Sequence, residues 1–124
     1  MADIVLIDDD ESLRLVMKKI LEGQGHAVRD ATDGSRGVEL VEEFEPDLVI
    51  TDLIMPEKEG IETIMELREA FPGVRILAVS GGGAADPIGP LSDAEAFGAD
   101  ASLPKPFSVD DFTAAVRRVL RDDG

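Results

Sequence analysis

Short apolar runs that alternate with amphipathic segments limit what this chain can fold into. Residues 4–7 and 48–50 are continuously apolar, which is typical of strands covered on both faces. The full set of segments comprises strand patterns at 4–7, 26–31, 48–50, 74–79 and 99–103, and helical patterns at 13–21, 35–44, 61–67, 91–98 and 112–120. Five strand–helix units in succession predict an α/β fold, a parallel sheet with helices on both faces.

Composition excludes several classes of protein. The chain has 124 residues, which suits one domain, and no cysteine, which excludes disulfides and thiolate catalysis. A net charge of −15 disfavours binding to nucleic acid. No apolar run approaches the ~20 residues needed to span a bilayer, and the first residues lack the basic region of a signal peptide. We therefore expect a cytoplasmic protein without membrane contact.

Four of the five predicted strands are followed by polar side chains close to the place where such a sheet is expected to bind a ligand. Open α/β sheets bind ligands at the carboxyl ends of their strands, so these side chains are expected to meet at one edge. They are Asp8 and Asp9 after the first strand, Asp52 after the third, Ser80 after the fourth and Lys105 after the fifth.

This set of groups suits phosphoryl chemistry. Clustered carboxylates repel one another, and Mg²⁺, which favours oxygen ligands, relieves that repulsion. The three charges of Asp8, Asp9 and Asp52 would be balanced by Mg²⁺ and Lys105. A carboxylate can attack a phosphoryl group, so Asp52 is the candidate nucleophile, with Lys105 and the Ser80 hydroxyl able to contact the transferring charge.

Each of these residues also has an ordinary interpretation. The run that ends in Asp10 could simply start a helix, because carboxylates complement the helix dipole. Asp52 could cap a strand, Ser80 could lie in a turn and Lys105 on the surface. The only histidine, His26, is expected to be structural, and Ser108 is a plausible N-cap of the last helix.

Four short motifs in order give the chain a resemblance to the receiver domains of response regulators in two-component signalling. They are the acidic pair at 8–9 with Glu-Ser-Leu-Arg at 11–14, the segment 46–56 around Asp52, the hydroxyl of Ser80, and Lys-Pro-Phe at 105–107. The resemblance extends over essentially the whole chain. It implies a flavodoxin-like, doubly wound sheet in the strand order 2-1-3-4-5 with five helices, and a single receiver domain over 1–124 with no output domain visible.

The resemblance also implies a function. Asp52 would accept a phosphoryl group from a histidine kinase or histidine phosphotransfer protein, and the aspartyl phosphate would switch contacts with a downstream protein. The domain would assist its own phosphorylation and dephosphorylation, with the help of Lys105 and Ser80, rather than act as an enzyme on other substrates. Mg²⁺ would be held by Asp8, Asp9, Asp52 and the backbone carbonyl of Ile54. The peptide bond before Pro106 would be cis.

The sequence departs from the family in its switch region. Ser102 stands three residues before the lysine, where the family usually has Tyr or Phe, and the chain has no tyrosine. Residues 81–90 form a loop rich in Gly and Pro that is long for this position. We therefore predict that this glycine-rich loop itself is the switch, ordered when phosphorylation draws Ser80 toward the phosphate.

Two other functions compete with this one. An aspartate-nucleophile phosphatase would place a second acid two residues after the nucleophile, and Ile54 at that position argues against it. A protein-interaction module that is never phosphorylated would not require the acids, the hydroxyl and the lysine together.

Overall fold

The sheet has the predicted architecture. The computed structural model describes residues 2–53, 60–80 and 98–121, with residue 80 described by its backbone alone. Its five strands are β1 (Asp3–Ile7), β2 (Ala27–Ala31), β3 (Leu48–Asp52), β4 (Arg75–Ser80) and β5 (Ala101–Pro104). All neighbours pair in parallel in the order β2-β1-β3-β4-β5, so both the parallel sheet and its strand order are confirmed.

Four helices surround the sheet in the described part of the chain. They are α1 (Glu11–Gly23), α2 (Gly34–Phe44), α3 (Gly60–Ala70) and α4 (Val109–Arg121). The helix predicted at 91–98 falls almost entirely on residues outside the described ranges. Within those ranges, every helix is too short or too polar to cross a bilayer.

Side-chain caps start three of these helices close to the strands or loops that precede them. The side chains of Asp10, Asp33 and Ser108 each accept a hydrogen bond from the backbone amide three residues later, at 3.1, 2.8 and 3.0 Å. Each bond satisfies an amide that has no partner within its helix. The prediction that Ser108 is an N-cap is confirmed, and Asp10 and Asp33 let α1 and α2 begin four and three residues after the ends of β1 and β2.

Two hydrophobic layers, one on each face of the sheet, form the core. Successive residues of a strand point to opposite faces, so Ile4 and Leu6 of β1 pack with α1 and α4, whereas Val5 and Ile7 pack with α2 and α3. All four side chains are at most 1% exposed. Because helices cover both faces, the carboxyl edge of the sheet is left for polar side chains.

The contact between α2 and β1 depends on Gly37. A Cβ at this position would lie 2.6 Å from Cγ1 of the buried Ile7. Gly37→Ala is therefore expected to lower the free energy of unfolding by about 1–3 kcal/mol through overpacking, although alanine is the better helix former. Urea denaturation measures the change. Gly23→Ala, at a helix end with nothing within 4 Å, is the matched control and should be neutral or stabilising; equal stability of both variants would contradict the packing argument.

A group of hydrogen bonds around Arg68 lies at the edge of the sheet opposite the carboxyl edge, where the amino ends of β4 and β5 are found. Arg68 of α3 donates to the carbonyls of Val74 at 2.7 Å and Gly98 at 2.7 Å, and to Asp100 Oδ2 at 3.0 Å. Asp100 in turn accepts a hydrogen bond from the amide of Ile76 at 2.8 Å. These bonds hold the amino ends of two strands that carry site residues at their other ends.

His26 has a structural contact, in agreement with the sequence analysis. Its Nδ1 accepts a hydrogen bond from the amide of Ala2 at 3.0 Å. Burial and the positive amino terminus lower the pKa of His26 below its usual value. The unfolded chain therefore binds this proton at higher pH than the folded one, and stability should decline as the pH falls below about 6.5. Thermal melts across this range measure the decline, and a His26→Gln variant that showed the same decline would contradict this assignment.

Candidate functional site

Strand register brings two of the predicted acids side by side. Ile7 of β1 is paired with Thr51 of β3, so Asp8 and Asp52 are the next residues along neighbouring strands. Lys105 follows directly after β5 at the same edge. The parallel sheet thus brings Asp8, Asp52 and Lys105, which are far apart in sequence, together in one polar cluster.

The cluster is tight and mostly buried. Carboxylate oxygens of Asp8, Asp9 and Asp52 lie within 4.8 Å of one another. Lys105 Nζ lies 3.1 Å from Asp8 Oδ2 and 3.3 Å from Asp52 Oδ2. Asp8 is fully buried and Asp52 is 5% exposed, whereas Asp9 is exposed. Solvent therefore reaches the cluster from the side of Asp9.

The electrostatics of the cluster favour a second cation. Burial by itself would lower the pKa of Lys105, but the charges of Asp52 and Asp8 outweigh it and raise the pKa above its usual value. Lys105 therefore remains an ammonium ion, one positive charge facing three carboxylates. Buried charges are costly unless they are paired, so this set of residues is still short of positive charge.

These residues fit Mg²⁺. Mg²⁺ takes hard oxygen ligands, binds through a small number of carboxylates and keeps several waters. The cluster offers three carboxylates. Those of Asp8 and Asp52 are buried, and that of Asp9 is exposed to solvent. A metal bound here could keep water or phosphate ligands on its exposed side.

The acidic run after β1 serves two purposes at once. Asp10 is the N-cap of α1, and its amide donates to Asp8 Oδ1 at 2.8 Å. The amide of Asp8 donates to the carbonyl of Ala31 at 3.1 Å. The interpretation as a helix start therefore holds for Asp10, while Asp8 and Asp9 join Asp52.

The other residues predicted at the site are placed only in part. The backbone of Ser80 ends β4 opposite Pro104, but its hydroxyl lies outside the described part of the chain, as do Ile54 and residues 81–90. Ser102 lies in β5 opposite Ala78 and is partly exposed. The Lys105–Pro106 peptide bond is cis, as the resemblance implied.

Arg14 also belongs to this region, although the sequence motif at 11–14 gave it no role at the site. Arg14 Nη1 donates to the carbonyl of Asp8 at 2.8 Å, and Nε donates to Asp30 Oδ2 at 2.8 Å. Lys18 Nζ lies 3.5 Å from Asp30 Oδ1. Arg14 and Lys18 are four residues apart, so they share one face of α1, and that basic pair was the available signal.

Comparison with known proteins agrees with this geometry. The family model described as response regulator receiver domain matches residues 4–117. The transcriptional regulatory protein CpxR of Escherichia coli strain K12 is 36% identical over 121 residues, which are 98% of this chain and 50% of CpxR. The chemotaxis protein CheY of Halobacterium salinarum is 32% identical over 117 residues, 94% of this chain and 95% of CheY. The chain thus spans about half the length of CpxR and nearly all of CheY.

Solved structures of similar shape belong to the same family. A response regulator receiver domain protein from Clostridium thermocellum superposes with a TM-score of 0.87 at 28% identity, covering 98% of this chain and 95% of that one. The receiver domain of NtrX from Brucella abortus gives a TM-score of 0.90 at 25% identity, covering 98% and 100%. The sequence matches, the strand order and the acidic edge of the sheet agree with one another. The chain therefore belongs to the response regulator receiver domains of two-component systems.

Proposed function

We propose that this receiver domain accepts a phosphoryl group on Asp52 from a phosphohistidine, carried by a histidine kinase or a histidine phosphotransfer protein. The observation that carries the proposal is the position of the Asp52 carboxylate. It ends β3, is 5% exposed, lies beside two other carboxylates and is 3.3 Å from Lys105 Nζ. The aspartyl phosphate would then change which proteins the domain binds.

Asp8, Asp9 and Asp52 would hold Mg²⁺, together with the backbone carbonyl of Ile54, which lies outside the described residues. When bound, Mg²⁺ supplies positive charge that neutralises charge on the transferring phosphoryl group. The exposure of Asp9 supports this assignment, because a phosphodonor must reach the metal from solvent. Asp8 is buried and bonded through both carboxylate oxygens, which supports a role as the rigid ligand.

The transfer itself would be a single displacement. A carboxylate oxygen of Asp52 attacks the phosphorus, the phosphorus–nitrogen bond of the donor breaks, and its electron pair stays on the imidazole nitrogen. The Lys105 ammonium would shift from the carboxylates to an oxygen of the new phosphate, and the Ser80 hydroxyl would donate to another. Groups positioned for this charge account for most of the catalysis in phosphoryl transfer.

Incubation of the purified protein with Mg²⁺ and a small acyl phosphate tests this function. Intact-protein mass spectrometry should show one phosphoryl group per chain, and chelation of the metal should prevent its addition. A parallel incubation with a phosphoester serves as the contrast. Repeated turnover of the ester would indicate a hydrolase, and a folded protein that stays unmodified would indicate an interaction module; either result contradicts the proposal.

A further inference from the structure

A single side chain, Arg14, connects the acidic cluster to the outer strand β2. Its guanidinium donates from Nη1 to the carbonyl of Asp8 and from Nε to the carboxylate of Asp30, both at 2.8 Å. The Arg14 side chain is 12% exposed, so both bonds are largely shielded from water. Neither Arg14 nor Asp30 belongs to the proposed set of metal ligands.

The Asp8 carbonyl matters because it belongs to the peptide group that leads into Asp9. Fixing its direction fixes the plane of that peptide, and with it the point from which the Asp9 side chain departs. Asp8 is already held at its amide and at both carboxylate oxygens. For the Asp9 carboxylate, by contrast, the described residues provide no hydrogen bond, so within the described part of the chain the backbone is what sets its position.

Asp30 keeps the guanidinium in place. Partial burial would raise the pKa of Asp30, but its bonds to Arg14 and Lys18 lower the pKa below its usual value. Asp30 is therefore an anion at neutral pH and holds Arg14 through a charge-assisted hydrogen bond. The two bonds leave from different nitrogens of one planar guanidinium, a spacing that the single nitrogen of a lysine at this position does not reproduce.

We propose that Arg14 is a positioning residue that orients Asp9 for Mg²⁺ through the carbonyl of Asp8, with Asp30 holding its guanidinium. This inference rests on the proposed binding of Mg²⁺ by Asp8, Asp9 and Asp52. Partners that orient a ligand from outside the ligand set commonly determine much of a metal site's affinity.

Electrostatics and positioning make opposite predictions for this residue. By Coulomb's law, removing a cation that is bonded to the backbone of Asp8 should tighten the binding of a divalent cation nearby. Loss of the hydrogen bond to the Asp8 carbonyl should weaken it, because Asp9 would no longer be held in place. The sign of the change in Mg²⁺ affinity therefore separates the two roles.

Isothermal titration of the full chain with MgCl₂ measures that sign. Arg14→Gln is expected to weaken Mg²⁺ binding roughly tenfold. Arg68→Gln is the matched control: it removes the same charge and also breaks bonds to backbone carbonyls, but at the opposite edge of the sheet. It should melt at a lower temperature and bind Mg²⁺ as the wild type does. Arg14→Lys, which keeps the charge, should have an affinity for Mg²⁺ between that of Arg14→Gln and that of the wild type.

Unchanged or tighter binding by Arg14→Gln would overturn the inference and leave the proposed function standing, because the wild type would still bind Mg²⁺. Equal weakening in the Arg14 and Arg68 variants would also overturn it, since the effect would then follow stability alone. If Arg14→Gln does not fold, Arg14→Lys takes its place, and wild-type affinity in that variant overturns the inference. A wild type that binds no Mg²⁺ would instead overturn the metal site itself, and this inference with it.

Discussion

Asp52→Asn is expected to abolish phosphoryl uptake from a small acyl phosphate while leaving the protein folded. An amide has no anionic oxygen with which to attack phosphorus, so the acceptor is lost. The fold should survive, because Lys105 still pairs with Asp8 at 3.1 Å and asparagine has nearly the same volume as aspartate. Intact-protein mass spectrometry measures the uptake, and a thermal melt reports the fold.

Asp10→Asn provides the matched control for this variant. It makes the same chemical change close to the cluster, and asparagine is as good an N-cap as aspartate, so α1 should be unaffected. Uptake by Asp10→Asn should equal that of the wild type. Undiminished uptake by Asp52→Asn would mean that another residue accepts the phosphoryl group.

Lys105→Met is expected to change two properties in opposite directions. The ammonium donates to the carboxylates of Asp8 and Asp52, which would also hold a bound metal, so its removal should tighten Mg²⁺ binding. The same ammonium is the group that would contact the transferring phosphoryl oxygens. Its loss should slow phosphorylation about 100-fold, the effect typical of removing one donor that stabilises transition-state charge. Titration calorimetry and a time course of labelling measure the two effects.

Lys19→Met, at an exposed position of α1, carries the same change in net charge and should alter neither property. Slower labelling of Lys105→Met combined with weaker Mg²⁺ binding would indicate a collapsed site rather than a missing cation. An unaltered labelling rate would remove Lys105 from the proposed chemistry.

The sequence predicts the fold well where local pattern and tertiary environment agree. The apolar runs of β1 and β3 are buried on both faces, and their burial is near complete in the structure. The strand order could not be derived from periodicity, because every βα unit looks alike locally; it came from the resemblance. Asp33, by contrast, is the N-cap of α2, and an aspartate just before a helical pattern is a signal that is readable from the sequence.

The site was predictable as a set of residues but not in its internal connections. Strand ends predicted that Asp8, Asp52 and Lys105 would meet, because a parallel sheet aligns those ends. Asp10 caps α1, whereas Asp9 lies with Asp8 and Asp52. Which of these neighbouring acids takes which position depends on the direction of a single peptide group, and no sequence pattern encodes that direction. The bond from Arg14 to the Asp8 carbonyl depends on the rotation of α1 about its axis, which tertiary packing determines.

Of the predicted switch, the structure describes Ser102 and the backbone of Ser80. Ser102 lies in β5 opposite Ala78, so the position that is usually aromatic in the family carries a small hydroxyl side chain. That the segment 81–90 responds to phosphorylation in place of an aromatic residue stays a prediction, since this segment lies outside the described residues. The role of the Ser80 hydroxyl is likewise still a prediction.

The central claim is that the carboxylates at this sheet edge direct a phosphoryl group to one particular side chain, Asp52. The direct measurement is to label the protein with acyl phosphate and Mg²⁺, reduce it with borohydride, and map its peptides by mass spectrometry. Borohydride converts an aspartyl phosphate to homoserine and so marks the acceptor permanently. The account predicts homoserine at position 52 in place of aspartate, and only when Mg²⁺ is present; homoserine at another aspartate, or none at all in a folded and metal-loaded protein, would contradict it.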